Sequence, residues 1–352
     1  MGELTMRIMV TGHDGYIGTV LVPLFQAAGH TVVGVDSGLF AGCTLLPDEH
    51  RADVELAMDV RDLRPEHLAG IDGVVHLAGI SNDPVGDLNP GTTYDVNHLA
   101  TVHVAEVAKA AGVQRFAFSS SCSTYGAHGD EPIDETAAFQ PVTPYGESKV
   151  LAERDLTLLA DDDFSPTFLR NATAFGVSPR LRGDLVVNNL TGYAVTTGEV
   201  LIKSDGTPWR PLVHIEDIAR AFLAVLEAPR DVVHLKAYNV GMSSENYRVS
   251  EVADIVADVV PGARVTYSPD ASPDTRNYRV DCSLIRAELP AFQPRWTVRA
   301  GVEQLYATYL QAGLRLEDLT GPRLQRIKRL LELQEQGRVD ADMRLVGEVA
   351  GV

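Results

Sequence analysis

The sequence predicts an α/β protein: a doubly wound parallel sheet followed by a smaller mixed α/β domain. Three observations carry this prediction. Short apolar runs alternate with helical patterns as far as Asn171. A glycine-rich turn, Thr11-Gly12-His13-Asp14-Gly15-Tyr16-Ile17-Gly18, separates the first run from the first helical pattern. The next two runs end in acids, Asp36 and Asp59. Strands alternating with helices imply βαβ units and a parallel sheet. Right-handed crossovers then place helices on both of its faces.

The elements follow in order. Residues 7–10 form a β-rich run ending in Thr11-Gly12. Residues 16–28 have helical spacing, and Pro23 should bend that helix. Residues 31–35, 56–58 and 73–77 give the second, third and fourth strands. Residues 94–111 give a long helix, 116–119 a fifth strand, 145–160 a further helix and 167–169 a sixth strand. Beyond Asn171, Gly and Pro punctuate shorter elements, with helices at 215–226 and 250–260 and a strand at 238–241. Leu324, Ile327, Leu330 and Leu331 recur at helical spacing, so the stretch from 319 onward carries an amphipathic helix. Arg323, Arg326, Lys328 and Arg329 make it locally basic. Such a helix packs on its own protein or on a second subunit.

Composition narrows the function. A chain of 352 residues has room for about two domains. With 45% hydrophobic and 22% charged residues it is not a disordered chain. Asp and Glu outnumber Lys and Arg by 48 to 30, a formal charge of −18. That repels nucleic acid and anionic membranes, so neither is an expected partner. An anionic small ligand would need arginines placed locally. Cys43, Cys122 and Cys282 are far apart and form no C-x-x-C pair, so a reducing, cytoplasmic setting is expected. His13, His76 and His214 show no metal-ligand spacing, and no metal is expected. The first residues lack an apolar stretch long enough for a signal peptide. No apolar run reaches the ~18 residues of a membrane span.

The glycine turn points to a dinucleotide. Gly12 permits the tight turn, Gly15 lets the backbone approach a pyrophosphate, and Gly18 lets the helix pack on the sheet. The helix N-terminus offers free N–H groups to phosphates. Tyr16 and Ile17 belong to the same turn. Asp36, eighteen residues after Gly18, is placed to accept from both adenosine ribose hydroxyls and to repel a 2′-phosphate, which favours NAD over NADP. Asp59 is placed to meet the adenine.

Tyr145 and Lys149 stand at i and i+4, one turn apart on one helix face. A nearby ammonium favours the phenolate, so Tyr145 suits a general base. Upstream, Ser119-Ser120-Ser121-Cys122-Ser123 ends the fifth strand, at the sheet edge where open parallel sheets bind ligands.

These motifs resemble the extended short-chain dehydrogenase/reductases of the NAD-dependent nucleotide-sugar epimerase/dehydratase family. The likeness runs from about residue 6 to 318. It includes the glycine turn, His76-Leu77-Ala78-Gly79, Asn97, the serine-rich strand end, Tyr145-x-x-x-Lys149, Leu169-Arg170-Asn171, residues 209–217 and residues 276–281. It implies a Rossmann NAD-binding domain over 1–172, with segments near 212–241 returning to it. A substrate domain over 173–318 and a helical extension over 319–352 complete the expected organisation. It also implies that Ser121 relays a proton, that Tyr145 is the base and that Lys149 is its partner. By the same resemblance Val60, Leu77, Ala78, Gly79 and Ser119 face the cofactor, and Asn97 belongs to the cofactor site, which it shapes through the backbone. Ser81, Cys122, Ser123, Asn171, Asn189, Arg210 and Arg276 face a nucleotide-diphosphate sugar, the two arginines clamping its phosphates. A homodimer through the helices at 94–111 and 145–160 is a further implication.

Three positions depart from family patterns. The 4,6-dehydratases carry an Asp-Glu pair after the catalytic hydroxyl, where this chain has Cys122-Ser123, neither a good general acid. Cys122 misses by one position the register of the cysteine in the 3,5-epimerases. Thr173 stands where the 4-epimerases carry an asparagine. The sequence therefore favours a 4-epimerase. A dehydratase, a reductase, a 3,5-epimerase and a non-catalytic dinucleotide sensor remain as alternatives. Asn82 and Asp83, after the fourth strand, could line the sugar pocket.

Overall fold

The computed structural model describes residues 5–47, 51–81, 89–272 and 276–346. Within it Arg7–Thr11 forms β1, where Ile8, Met9 and Val10 are fully buried. Successive strand residues face opposite ways. Ile8 and Val10 accordingly enter one apolar layer and Met9 the other. A strand apolar on both faces must be covered on both.

The remaining strands are β2 (Thr31–Asp36), β3 (Val54–Ala57), β4 (Gly73–His76), β5 (Arg115–Ser121), β6 (Ala127–Ile133), β7 (Ser165–Asn171) and β8 (Thr173–Phe175). They continue as β9 (Glu199–Ser204), β10 (Trp209–His214), β11 (Ala237–Val240), β12 (Asn246–Arg248), β13 (Arg264–Ser272) and β14 (Asn277–Val280). Seven of them form one sheet in the order β11-β7-β5-β4-β1-β2-β3, and every pairing in it is parallel. The predicted doubly wound sheet is therefore present. The expected third strand begins earlier than its apolar residues suggest. It is the sheet's edge, and its side chains are mostly exposed.

Helices cover both faces. Gly18–Ala27 (α1) contributes Leu21 and Phe25 to the layer of Ile8 and Val10. The helix expected at 94–111 starts earlier, at Pro90, and runs to Ala110 without a break but changes its winding on the way. A turn at Pro90–Tyr94 leads into a π-helical turn, Asp95–Leu99, and then into α2 (Ala100–Ala110). Pro144–Leu159 (α3) packs Ala152 and Leu156 into the Met9 layer beside Val104 and Ala108 of α2.

The second half holds Val186–Thr197 (α4), Ile215–Glu227 (α5), Val249–Val259 (α6) and Val298–Gln311 (α7). Leu190, Val200, Ile202, Val252, Val256, Val302 and Leu305 close a second core. Small sheets accompany it: β12-β10-β8, β13-β9 and β14-β6. The chain also returns to the first layer, through β11 and through Phe222 of α5.

The last helix, Arg326–Glu335 (α8), lies on its own chain. Leu330 and Leu333, with Val339 and Met343, pack against Leu39 and Phe40 after β2 and Ile80 after β4. The stripe is narrower than the sequence suggests. Leu324 precedes the helix and joins the second core, while Leu331 is 40% exposed.

A buried ion pair ties the sheet to α3. Arg170 of β7 donates through Nη2 to Glu153 Oε2 at 2.7 Å and through Nε to Oε1 at 3.1 Å. Ser120 of β5 donates to the same carboxylate. Arg170 Nη1 donates to the Tyr125 hydroxyl at 3.0 Å, which donates in turn to Asn239 of β11 at 2.7 Å. Three adjacent strands and α3 are thereby held in register at the serine-rich strand end. Removing one partner of a buried pair leaves an uncompensated charge. Glu153→Gln is expected to lower unfolding free energy by about 3–5 kcal/mol, read from urea titration.

Candidate active site

β1 and β4 are neighbours whose chains leave toward opposite sides of the sheet, which opens a crevice beyond their carboxyl ends. The glycine turn lines it. Gly12 has φ +72°, and a Cβ there would stand 2.9 Å from Ala78 N. A Cβ on Gly18 would collide with the Gly12 and His13 carbonyls. At Gly15 a Cβ would meet only Gly12 O, at 3.1 Å, so its bareness keeps the crevice open. The Tyr16 hydroxyl donates to Gly176 O at 2.7 Å and accepts from Asn188, which fastens the turn to the second half of the chain.

A hydrogen-bond chain runs beneath. Ala78 N–H donates to Thr11 Oγ1, which is 2.8 Å from His76 Nδ1. His76 Nε2 is 3.0 Å from Thr101 Oγ1, which donates to Asn97 O. Each hydroxyl has one hydrogen to give, so the order implies that His76 carries its proton on Nε2. Burial, aided by the Lys149 charge, pushes His76 down to about 3, so it stays neutral. Asn97 then grips Ile80 on both sides, accepting from its N–H at 2.7 Å and donating to its carbonyl at 2.9 Å.

One cavity of about 820 Å³ extends from this crevice. Gly12, Gly15, Tyr16, Ile17, Gly18, Asp36, Asp59, Val60, Leu77, Ala78 and Gly79 line it, as do Ser81, Ser119, Ser121, Ser123, Tyr145, Lys149, Asn171, Asn189, Arg210 and Arg276. Of the cofactor, substrate and catalytic candidates among the described residues, Asn97 and Cys122 are not among its lining.

Burial pushes the Asp36 carboxyl up, while its Oδ1 accepts from Gly38 N at 2.8 Å. Burial also raises Asp59, but the Arg61 guanidinium outweighs it and holds this carboxyl below its usual value. Both Asp59 oxygens accept from Arg61, so the residue placed to meet adenine reaches the cavity as half of an ion pair.

Thr143 caps α3 by accepting from Gly146 N, and this sets Tyr145 and Lys149 in the first turns. Lys149 Nζ donates to Ser119 O at 2.8 Å, lies 4.6 Å from the Phe118 ring centroid and 5.8 Å from that of Tyr145. Burial drives this ammonium down to about 7. Ser121 Oγ accepts from Ser123 N at 3.1 Å, which leaves its O–H to donate elsewhere. Asn171 Oδ1 and Ser123 Oγ are buried without a protein partner. A polar ligand in the cavity would satisfy both.

Another wall carries cations. Arg210 is 7% exposed and donates through Nη1 to the carbonyls of Trp209 and Arg276, which holds the two arginines' backbones together. Asn189, on α4, donates to Gly183 O at 2.7 Å.

One expectation needs correction, and one residue acts indirectly. Cys122 opens a 3₁₀ turn that rotates its side chain inward, where it packs with Tyr125, Tyr278, Val280 and Cys282. Its thiol donates to Arg170 O, and burial pushes its pKa well up. Asn97 is fully buried and acts on the crevice through the Ile80 backbone. Asn82 and Asp83 lie outside the described residues.

Sequence reasoning missed Arg182 and Asp184. Both line the cavity, paired at 2.7 Å, and Arg182 Nη1 also donates to Ser81 Oγ at 2.9 Å. Burial raises the Asp184 carboxyl, but the Arg182 charge overrides it and holds it low. An Arg-x-Asp spacing was the only signal, and surface pairs share it. Arg326, Leu330 and Met343 of the C-terminal segment line the cavity as well.

Comparison with known proteins agrees with this geometry. Residues 8–241 match the model of the NAD dependent epimerase/dehydratase family. A UDP-glucose 4-epimerase of Erwinia amylovora is 29% identical over 328 residues, covering 85% of this chain and 95% of that protein. The structure of MoeE5 in complex with UDP-glucose and NAD superposes with a TM-score of 0.75 at 29% identity, over 87% of this chain and 99% of the other. The NAD dependent NDP-hexosamine 5,6-dehydratase TunA shares the fold, with a TM-score of 0.77 at 23% identity, over 87% of this chain and 98% of the other. With two thirds of its length matched by the family model and a sheet, glycine turn and Tyr-Lys pair to fit, this chain belongs to the NAD dependent epimerase/dehydratase family.

Proposed function

We propose that the protein is a nucleotide-sugar epimerase that inverts carbon 4 of the sugar. The observation that carries this reading is the meeting of three groups on one cavity: the glycine turn with Asp36, the Tyr145–Lys149 pair with Ser121, and the cationic wall of Arg210 and Arg276. Relatives named as UDP-glucose 4-epimerases support it.

The residues present fit NAD. A side chain at Gly12 or Gly18 would strike the protein's own backbone, and Asp36 lines the crevice. The glycine turn and the first turn of α1 would hold the diphosphate. Asp36 would accept from the adenosine ribose, and Lys149 would donate to the other ribose. When bound, NAD supplies the acceptor, and on return the donor, of one hydride.

Tyr145 takes the proton of the sugar 4-hydroxyl while carbon 4 gives up its hydride, which leaves a 4-keto sugar. Ser121 donates to the same oxygen. Lys149 offsets the phenolate charge from a buried position, where such stabilisation is strong. The keto sugar turns over, hydride returns to its other face, and Tyr145 gives the proton back. The sum is an inversion with no external oxidant. Arg210 and Arg276 suit the diphosphate of the substrate, since a guanidinium presents paired N–H donors to phosphate oxygens.

The dehydratase alternative needs an acid and a base beside Ser121. Cys122 points into the core, and Ser123 offers only a hydroxyl. We also propose a homodimer through the faces of α2 and α3. Leu99, just before α2, is 55% exposed, and Leu158, near the end of α3, is 79% exposed.

Incubation with a panel of nucleotide sugars in heavy water, followed by return to ordinary water, chromatographic separation of epimers and mass spectrometry, tests the reaction. A 4-epimer of unchanged mass is expected. Loss of water, or deuterium retained on carbon, overturns the reading. Tyr145→Phe is expected to lower turnover at least about 100-fold while NAD binding by calorimetry persists. Turnover near wild type would remove Tyr145 from the mechanism. Sedimentation velocity should give the mass of two chains, and Leu158→Asp should shift it toward one.

A further inference from the structure

We propose that Arg326, carried by the C-terminal segment, is a further ligand for the diphosphate of the bound dinucleotide, and that residues 322–346 strap the cofactor side of the cavity. This rests on the NAD reading of the crevice.

The segment is fastened at several points. Arg323 Nε donates to Thr44 O at 2.8 Å, and Arg61 Nη1 donates to Asp342 O at 2.8 Å. Thr92 Oγ1 donates to Ala341 O at 3.2 Å, and Arg344 pairs with Asp62 at 2.7 Å. These anchors lie after β2, after β3 and ahead of α2, so the segment spans the loops that frame the crevice. Leu330 and Met343 add an apolar wall to the cavity.

Arg326 is the charged residue that this segment brings to the cavity. It is 6% exposed, and its guanidinium lies 4.6 Å over the Phe40 ring, four residues beyond Asp36. Nη2 donates at 3.1 Å to the carbonyl of Arg180, whose own side chain holds Asp14 of the glycine turn. Nη1 is buried and has no hydrogen-bond partner.

The neighbouring arginines are each matched by an acid: Arg180 by Asp14, Arg182 by Asp184, Arg323 by Asp318 and Arg329 by Glu332. Among the described residues no such ion pair exists for Arg326. Burial opposes its charge most and Arg182 adds to that, and Cys43 and Asp184 offset them only in part. A guanidinium does not shed its proton. A buried charge is stable when paired. A phosphate oxygen beside the glycine turn supplies the missing partner, and the planar fork suits it. Arg210 and Arg276 are held by other elements, β10 and the residue before β14.

Titration calorimetry on the full chain tests this, with NAD, ADP-ribose, adenosine and UDP as probes and with the apo melting temperature measured alongside. Arg326→Gln is expected to weaken NAD and ADP-ribose about 10- to 100-fold, with adenosine and UDP unchanged and the apo protein still folded. Arg326→Lys keeps the charge and loses the fork. It should weaken NAD by less, and it serves the same purpose if the glutamine variant does not fold. Unchanged NAD affinity in both variants overturns the proposal. So does a loss confined to UDP, which would assign Arg326 to the substrate. Wild-type protein that binds no NAD would instead fail the underlying cofactor reading.

Discussion

The reversal of strand order at β1 is the constraint on which the site depends. β2 and β3 extend the sheet on one side of β1, and β4 and β5 extend it on the other. The loops after β1 and β4 must therefore diverge, and a crevice opens between them. How tightly they pass is measured by Gly12 and Ala78, which leave no room for even a methyl group. The serine-rich end of β5 and the start of α3 sit beside this crevice, so chemistry and cofactor share one cavity. Beneath it, neutral His76 joins Thr11 of β1 to Thr101 of α2. A charged histidine there would break the direction of the hydrogen bonds, and its burial prevents that.

Most of the frame was legible because it is local. A glycine turn between strand and helix shows its motif within eight residues, although its tightest contact, with Ala78, lies elsewhere in the chain, and an i, i+4 Tyr-Lys pair obeys helix geometry. The π-helical turn at Asp95–Leu99 was not legible. It keeps the apolar spacing of an ordinary helix, and the contact made from within it, the grip of Asn97 on Ile80, reaches across the fold. The inward turn of Cys122 was hidden for a similar reason. Strand alternation stops at Ser121, and the 3₁₀ turn that follows sets its own direction. Arg182 and Arg326 were beyond reach because nothing in their neighbourhood in sequence distinguishes a cavity arginine from a solvated one. The fold brings them to the cavity from positions far from the motifs.

Charge is distributed against the average. The chain carries a formal −18, yet Lys149, Arg182, Arg210, Arg276 and Arg326 all line one cavity. An acidic exterior around a cationic interior disfavours polyanions, which need an extended basic face. It still admits a compact diphosphate that can enter. Acids within the cavity are mostly tied up: Asp59 by Arg61 and Asp184 by Arg182. Asp36, bonded to a backbone N–H, keeps capacity for hydroxyl donors.

The fastening of the C-terminal segment also bears on the order in which the molecule is built. Its contacts with Arg61 and Asp62 join residues 281 and 282 positions apart. Closing so long a loop costs entropy that grows only slowly with length. The surface it docks on is a different matter. Leu39, Phe40 and Ile80 come side by side only after β1, β2 and β4 have paired. The sheet must therefore precede its own cover. A chain whose parallel core has formed already has an open crevice, and the wall that narrows it arrives last.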